Sequence, residues 1–352
     1  MQLSYKLIEL PLEFTFTISR SSTTVAKTFI VTLVTEYENQ IYTAYGEAVF
    51  SRYYGEDENS VASFYEQIKE EKVLDDLDPF DLDKFEKRIG KYEGHMAAKA
   101  GLDIALYDLR AKIKNLPLYA YLGLDPKKTP KTSYTIGIAD LETIKLKTLT
   151  ALERGYDLLK VKLGSPEDLI TIETIRKLAP KATIRVDANA AWTVNDALAV
   201  LNIIKDYNIE FVEEPLKLGS EQNDYIKLYE ESPLPLMADE SCHTSQNIEW
   251  CAKYFHSINI KHTKCGGISE ALRMIQKAKE HNLKIMLGCF SETTISIAAF
   301  AHISPLVDYA DLDGSLLLKN EPFQAVKFQG SNIILKDAPG LGVVLQQATK
   351  LK

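Results

Sequence analysis

The first fifty residues alternate apolar and polar positions with the period of two that a half-buried strand requires. Thr28-Phe29-Ile30-Val31-Thr32-Leu33-Val34 is rich in β-branched residues and residues 41–50 follow a polar turn, so an antiparallel sheet is predicted to open the chain. Over residues 60–112 the period becomes helical. It is clearest at 96–112, where Ala98, Leu102, Ala105, Leu106 and Leu109 recur at steps of three and four. Asn115-Leu116-Pro117 stops that helix, and the proline-punctuated 124–130 stretch suits a junction near residue 125.

Beyond the junction, eight short apolar runs alternate with helical stretches: 134–138, 158–163, 183–187, 209–213, 234–239, 257–261, 284–289 and 309–313. From the second strand onward their ends fall at 160, 187, 213, 239, 261, 289 and 311, spacings of 22 to 28 residues. A βα unit of that size, repeated eight times, predicts a parallel barrel of the TIM type. The fold class is therefore α/β, with an α+β capping domain over 1–125, a barrel over 126–315 and a C-terminal segment, 316–352, that returns to the cap. Residues 326–328 and 333–335 read as a hairpin that rejoins the N-terminal sheet.

Composition fits this picture. With 45% hydrophobic and 26% charged residues, and only 17 Gly and 13 Pro among 352, the chain can bury a large core. The net charge of −8 gives no general attraction to nucleic acid or anionic membranes, which leaves a small molecule as the expected partner. The start shows no signal-peptide pattern, and the uncharged 293–307 stretch is too short to span a bilayer. Cys242, Cys251, Cys265 and Cys289 form no CxxC pair, so reduced thiols in a cytoplasm are expected. The six histidines have no metal-ligand spacing. A homo-oligomer is compatible with all of this.

Parallel barrel strands should be uniformly apolar, yet several here carry charge at their C-terminal ends, where barrels of this kind build active sites. These are Lys160 and Lys162, Asp187, Glu213, Asp239, Lys261, and Asp311 with Asp313. Each alone fits a helix cap or an edge lysine. Three acids on three consecutive strands are different, because converging carboxylates need a cation. An all-oxygen set suits Mg²⁺, so Asp187, Glu213 and Asp239 are the expected metal ligands. Alternation puts Lys160 and Lys162 on one face, and the second and sixth strands lie opposite each other in an eight-stranded barrel. Lys162 and Lys261 are thus candidate bases for two faces of one carbon, their basicity lowered by neighbouring cations. Lys264, beside Cys265-Gly266-Gly267, is a rival for the Lys261 role but reads as a solvated loop lysine.

The ordered set resembles the enolase superfamily, in its muconate-lactonizing-enzyme subgroup and among the dipeptide epimerases. It comprises the 96–123 segment with Ala105-Leu106-Tyr107-Asp108, then Lys160-Val161-Lys162, Asp187-Ala188-Asn189, Glu213-Glu214-Pro215, Asp239-Glu240-Ser241, Asn259-Ile260-Lys261 with Lys264 and Gly266-Gly267, and Asp311-Leu312-Asp313. Glu214 stands where the family often has Gln. The resemblance implies epimerisation of a dipeptide at its C-terminal α-carbon by 1,1-proton transfer, with Lys162 and Lys261 as bases, one Mg²⁺ per subunit, and a metal-stabilised enediolate that Lys160 also neutralises. It implies substrate contacts from Thr135 and from the Cys289–Ser291 stretch, partly through backbone, although Cys289 equally fits a packed thiol. Asp311 and Asp313 would hold the dipeptide ammonium.

Specificity in the subgroup comes from cap loops, here near 16–26 and 51–60. Ala-Glu epimerases place an arginine in the first loop; Ser21 falls at that position, with Arg20 one residue off. The expectation is Ala-X with X neutral, small or hydrophobic, with Ala-Glu as the alternative. Other readings are an o-succinylbenzoate synthase or muconate cycloisomerase on the same site, a Schiff-base aldolase using Lys162 or Lys261, and a catalytically dead binding barrel.

Overall fold

The structure is a computed structural model that describes residues 1–346; residues 347–352, the end of the predicted C-terminal segment, lie outside the described residues. The alternating N-terminal pattern becomes three antiparallel strands, β1 (Gln2–Ile18), β2 (Ser21–Tyr37) and β3 (Gln40–Val49), in the order β1-β2-β3. The β1–β2 register shifts between Pro11 and Phe16, where proline cannot donate to the ladder. Past that irregularity the hairpin runs on as an arm over the barrel: Thr17 O accepts from Ile138 N at 2.9 Å and Asn189 O accepts from Ser19 Oγ at 3.2 Å.

Helices α1 (Glu58–Glu70), α2 (Leu82–Ile89) and α3 (Met96–Ile113) follow. Asp57 caps α1 in a reciprocal box with Ser60, and α3 is buried along almost its whole length between the sheet and the barrel. Its approach to β3 is close enough that a Cβ on Gly46 would stand 2.0 Å from Gly101 O.

A short α4 (Leu118–Tyr121) leads to the barrel. Its strands are β4 (Tyr134–Ile136), β5 (Leu158–Lys162), β6 (Thr183–Asp187), β7 (Ile209–Glu213), β8 (Leu236–Ala238), β9 (Ser257–Ile260), β10 (Lys284–Gly288) and β11 (Tyr309–Asp311). Between them run α5 (Leu141–Glu153), α6 (Asp168–Leu178), α7 (Val194–Ile204), α8 (Gln222–Glu231), α9 (Ile248–Tyr254), α10 (His262–Cys265), α11 (Ile268–Glu280) and α12 (Thr294–Ile303). All eight strands pair in parallel in sequence order, and a bridge between Thr132 and Ala310 brings the first and last together. All eight sequence-predicted strands are present, trimmed by up to three residues. The bottom of the barrel is filled by Phe211, Met237 and Met286 with Tyr309, and Arg185 stacks over Phe211 and Tyr309 at 5.2 and 5.0 Å. The charged side chains named above are therefore gathered at the other, C-terminal end.

The C-terminal segment differs from expectation in one respect. After β12 (Phe323–Gln324), the hairpin β13 (Val326–Gln329) and β14 (Asn332–Leu335) forms its own two-stranded sheet and does not extend β1–β3; β12 pairs instead with β15 (Val344–Leu345). The hairpin lies on α12, which is buried on every side and needs apolar cover; Val326 and Ile333 supply it. Its turn reaches the N-terminal end of the barrel, where Ser331 accepts from Thr132 N at 2.8 Å and from Asp157 N at 3.2 Å. Contact with β1 is made earlier, by the Leu12–Leu318 bridge and the Lys319 N to Pro11 O bond at 2.8 Å.

The Gly46 contact yields a prediction. Gly46→Ala forces α3 off β3 and should lower stability by about 1–3 kcal/mol or more in chemical denaturation; a denaturation midpoint unchanged from wild type contradicts the packing described.

Candidate active site

The register of the parallel ladder sets the site. Lys162, Asp187, Glu213 and Met237 stand side by side on four successive strands, and Asp239 lies two residues beyond Met237 and so faces the same way. One carboxylate oxygen each from Asp187, Glu213 and Asp239 lies within 4.8 Å of the others, and all three side chains are fully buried. Asn259, two residues before Lys261 on β9, donates from Nδ2 to Glu213 Oε1 at 2.8 Å. The other Glu213 oxygen is 2.7 Å from Lys160 Nζ but makes no hydrogen bond. Three buried carboxylates that bring one oxygen each within 4.8 Å of the others match the hard-oxygen donor set of a divalent cation.

The lysines flank this trio. Lys162 Nζ is 2.6 Å from Asp187 Oδ2 on one side, and Lys261 Nζ is 2.7 Å from Asp239 Oδ2 on the other. Lys160 reaches deepest, with Glu213 and Asp311 each at 2.7 Å and Asp187 at 3.2 Å. Burial disfavours the charged ammonium of Lys160 and of Lys261, but the facing carboxylates outweigh it: Asp311 and Glu213 hold the Lys160 pKa far above its ordinary value, and Asp239 and Glu213 raise that of Lys261. Lowered basicity was expected for Lys261 as a candidate base; among the protein's own groups the carboxylates dominate. Burial likewise disfavours ionised Asp187 and Asp239, yet adjacent lysines hold both below the usual range. Glu213, desolvated and next to Asp187, is pushed up to about 8.

Lys264 corrects the sequence reading. It lies in the one-turn helix α10 and is buried, its Nζ bonded to Asp239 Oδ1 at 2.5 Å, to Asn259 O at 3.0 Å and to Asp239 O. The glycines that suggested an open turn instead end the helix: Gly266 and Gly267 have φ of 89° and 120°, and a Cβ on Gly267 would meet the Asp103 side chain at 2.4 Å.

Glu214 turns away from the acid trio. With φ of 35°, it accepts from Asp239 N at 2.7 Å, Ser241 N at 3.0 Å and Ser241 Oγ at 2.5 Å, so it fixes the loop that carries Asp239. Across the cavity, Asp313 accepts from Thr135 N at 2.6 Å and Oγ1 at 3.1 Å, and Asp311 from Ser133 Oγ at 2.5 Å. Burial and then Asp311 push Asp313 up to about 7, whereas Lys160 overcomes burial and keeps Asp311 low.

These groups open on one cavity of about 840 Å³, lined by Thr135, Lys160, Lys162, Lys261, Cys289, Ser291, Asp311 and Asp313. Asp187, Glu213 and Asp239 lie beneath the lysines. Both predicted cap loops form its roof, through Phe16, Ile18, Arg20 and Val25 from one and Tyr53 and Tyr54 from the other. Arg20 is engaged there: its NH2 is 2.6 Å from Glu240 Oε1, its NH1 bonds Asn189 O at 3.0 Å, and it stacks on Tyr53 at 4.1 Å. The sequence reading assigned no role to Ser133, Asn259, Glu240 or Tyr54 and named Phe290 only as part of the 289–291 stretch expected to contact substrate. Asn259 and Ser133 were accessible through strand alternation with Lys261 and Thr135; the aromatic residues carry no local signal.

A parallel barrel with three acids on consecutive strands and lysines to either side defines an enolase-like protein. In agreement, residues 17–123 match the mandelate racemase / muconate lactonizing enzyme N-terminal domain and residues 145–349 the enolase C-terminal domain-like family. The chain belongs to that family. It is 36% identical over 348 residues to an L-Ala-D/L-amino acid epimerase of Maribacter sp., covering 99% of this chain and 100% of the relative. A substrate-liganded complex of the L-Ala-D/L-Glu epimerase of Bacillus subtilis superposes with a TM-score of 0.90 at 28% identity, covering 98% of each chain. The Enterococcus faecalis dipeptide epimerase, complexed with Mg and L-Leu-L-Tyr, gives 0.88 at 32% identity, covering 97% of this chain and 98% of the other. No helix among the described residues is long and apolar enough to cross a membrane.

Replacing Lys264 by Met leaves Asp239 short of one of its two ammonium partners. Breaking that buried pair should cost about 3–5 kcal/mol in chemical denaturation of the metal-free protein; a solvated loop lysine would show no loss.

Proposed function

We propose that this chain is a Mg²⁺-dependent dipeptide epimerase acting at the α-carbon of the C-terminal residue. The observation that carries the reading is the pair Lys162 and Lys261, one on each flank of a buried acid trio, in a cavity whose opposite wall is Asp311 and Asp313. Asp187, Glu213 and Asp239 are the ligands we assign to the metal. When bound there, Mg²⁺ supplies positive charge to the carboxylate of the substrate.

The chain's own groups do the rest. Asp311 and Asp313 hold the substrate ammonium, with Thr135 orienting Asp313, and the 289–291 stretch closes the cavity beside them. Neutral Lys162 Nζ removes the α-proton of one epimer while Lys261, as ammonium, delivers a proton to the opposite face; the reverse reaction exchanges the two roles. Proton removal leaves a second negative charge on the substrate carboxylate, and the Lys160 ammonium lies where it offsets that charge. A buried Asp313 suits an amine and serves no purpose for a muconate or succinylbenzoate precursor, which argues against the lyase and cycloisomerase readings. A Schiff-base aldolase would leave the acid trio unused.

For the C-terminal side chain we propose a neutral, small or hydrophobic residue, because Phe16, Ile18, Val25 and Phe50 line the roof and the Arg20 charge is matched by Glu240. Arg20 nonetheless lines the cavity, which keeps Ala-Glu as the second reading. The cap over 1–125, the barrel over 126–315 and the returning segment from 316 are the functional division that fits this assignment. Four free thiols suit a reducing cytoplasm.

Two outcomes are expected. In D₂O an L-Ala-L-X dipeptide should gain deuterium at the second α-carbon, and EDTA should abolish this exchange; full exchange in EDTA rules the reading out. Ammonium capture requires ionised Asp313, so kcat/KM should fall as pH drops below about 7. Asp313→Asn should remove that limb as well as most activity, and an unchanged limb in this variant would assign it to another group.

A further inference from the structure

We infer that His262 and Glu292, a buried pair outside the substrate cavity, are positioning residues for Lys261 and thus for proton transfer on one face of the substrate only. The inference rests on the epimerase reading above. Neither side chain belongs to the acid trio or the ammonium site, and both are almost wholly buried. Burying an imidazole against a carboxylate has little to recommend it as a source of stability, since an apolar pair of like volume does as well or better. The geometry points to a different use.

Glu292 directs a single oxygen at two donors. Its Oε2 is 3.0 Å from His262 Nε2 and 3.0 Å from Phe290 N, while Oε1 makes no hydrogen bond. His262 is the residue after Lys261, at the start of α10, and Phe290 lies in the 289–291 stretch that lines the cavity. One carboxylate therefore ties the backbone that carries Lys261 to the loop on the neighbouring side of the site. The link has a direct consequence at the ammonium: Lys261 Nζ is 5.1 Å from the centre of the Phe290 ring, which faces it as a cation–π partner. The ring in turn packs edge-on against Tyr54 from the cap, at 6.2 Å.

The brace extends into the cap. Thr263 Oγ1 donates to Val49 O at 2.9 Å, and Glu47 on β3 accepts from Thr293 N at 3.0 Å, Thr293 Oγ1 at 2.7 Å and Ser296 N at 3.2 Å. Residues on either side of the pair, 263 and 293, are thus anchored to the same strand. Lys162 stands on β5, at the far flank of the acids, and among the described contacts has no link to this network. Loosening the pair should therefore displace one base and spare the other.

Because two bases act on opposite epimers, the effect is separable from a general loss of structure. Lys261→Ala first identifies which epimer depends on Lys261 for α-proton exchange in D₂O. In Glu292→Gln, which keeps an acceptor for Phe290 N but removes the charge, exchange from that epimer should fall by about 10- to 100-fold while exchange from the other changes little. Equal loss for both epimers, or no loss, overturns the inference. If Glu292→Gln does not fold, Phe290→Leu decides in its place: it removes the ring facing Lys261 and should give the same one-sided loss. Wild-type protein that exchanges neither epimer disproves the epimerase reading itself, a result distinct from either outcome in the variants.

Discussion

Four lysines and at least six carboxylates share the C-terminal end of one barrel, almost entirely out of water, and their mutual compensation is the constraint to which the rest of the structure answers. Such groups are tolerable in a dry interior only where each charge has a partner and each remaining lone pair a donor. Hence Lys160 touches three acids, Lys264 seals the loop end of Asp239, and Asn259 and Ser133 supply neutral donors to Glu213 and Asp311. Glu213, Glu214 and Asp313 are each pushed up in pKa by burial and by a neighbouring carboxylate. On the reading proposed above, a metal ion at Glu213 and a substrate ammonium at Asp313 would each bring the positive charge that relieves this strain.

A site of this kind also needs a roof, because open solvent would weaken every one of these interactions. The barrel does not provide it. The β1–β2 arm, freed from regular pairing at Pro11, and the turn after β3 reach across to Asn189, Glu240 and Phe290. Contacts behind the cavity, through Glu47, Val49 and Asp103, hold the cap to the segments after β9 and β10, next to Lys261. The close fit of Gly46 against α3 serves the same end, since it fixes the strand from which Glu47 and Val49 project.

Much of this was legible in the sequence because charge in a parallel strand is conspicuous. Asp187 and Glu213 interrupt apolar runs whose spacing already implied a barrel, and alternation alone placed Lys160 and Lys162 together. What was not legible depends on contacts between distant residues. Lys264 read as solvated because Gly266-Gly267 resembles an open turn; its burial follows from Asp239, 25 residues earlier. The hairpin after β12 carried the right strand signal, but only the apolar face of α12 that it covers determines where it packs. The engagement of Arg20 by Glu240, 220 residues away, and the Glu292–His262 pair have no local pattern at all.

The most direct test of the central claim, that two lysines serve opposite faces of one carbon, is α-proton exchange of both dipeptide epimers by Lys162→Ala and Lys261→Ala. Each variant should fail to interconvert the epimers, and each should retain exchange with a different one of them. Loss of exchange from the same epimer in both variants, or retained epimerisation in either, would contradict the account.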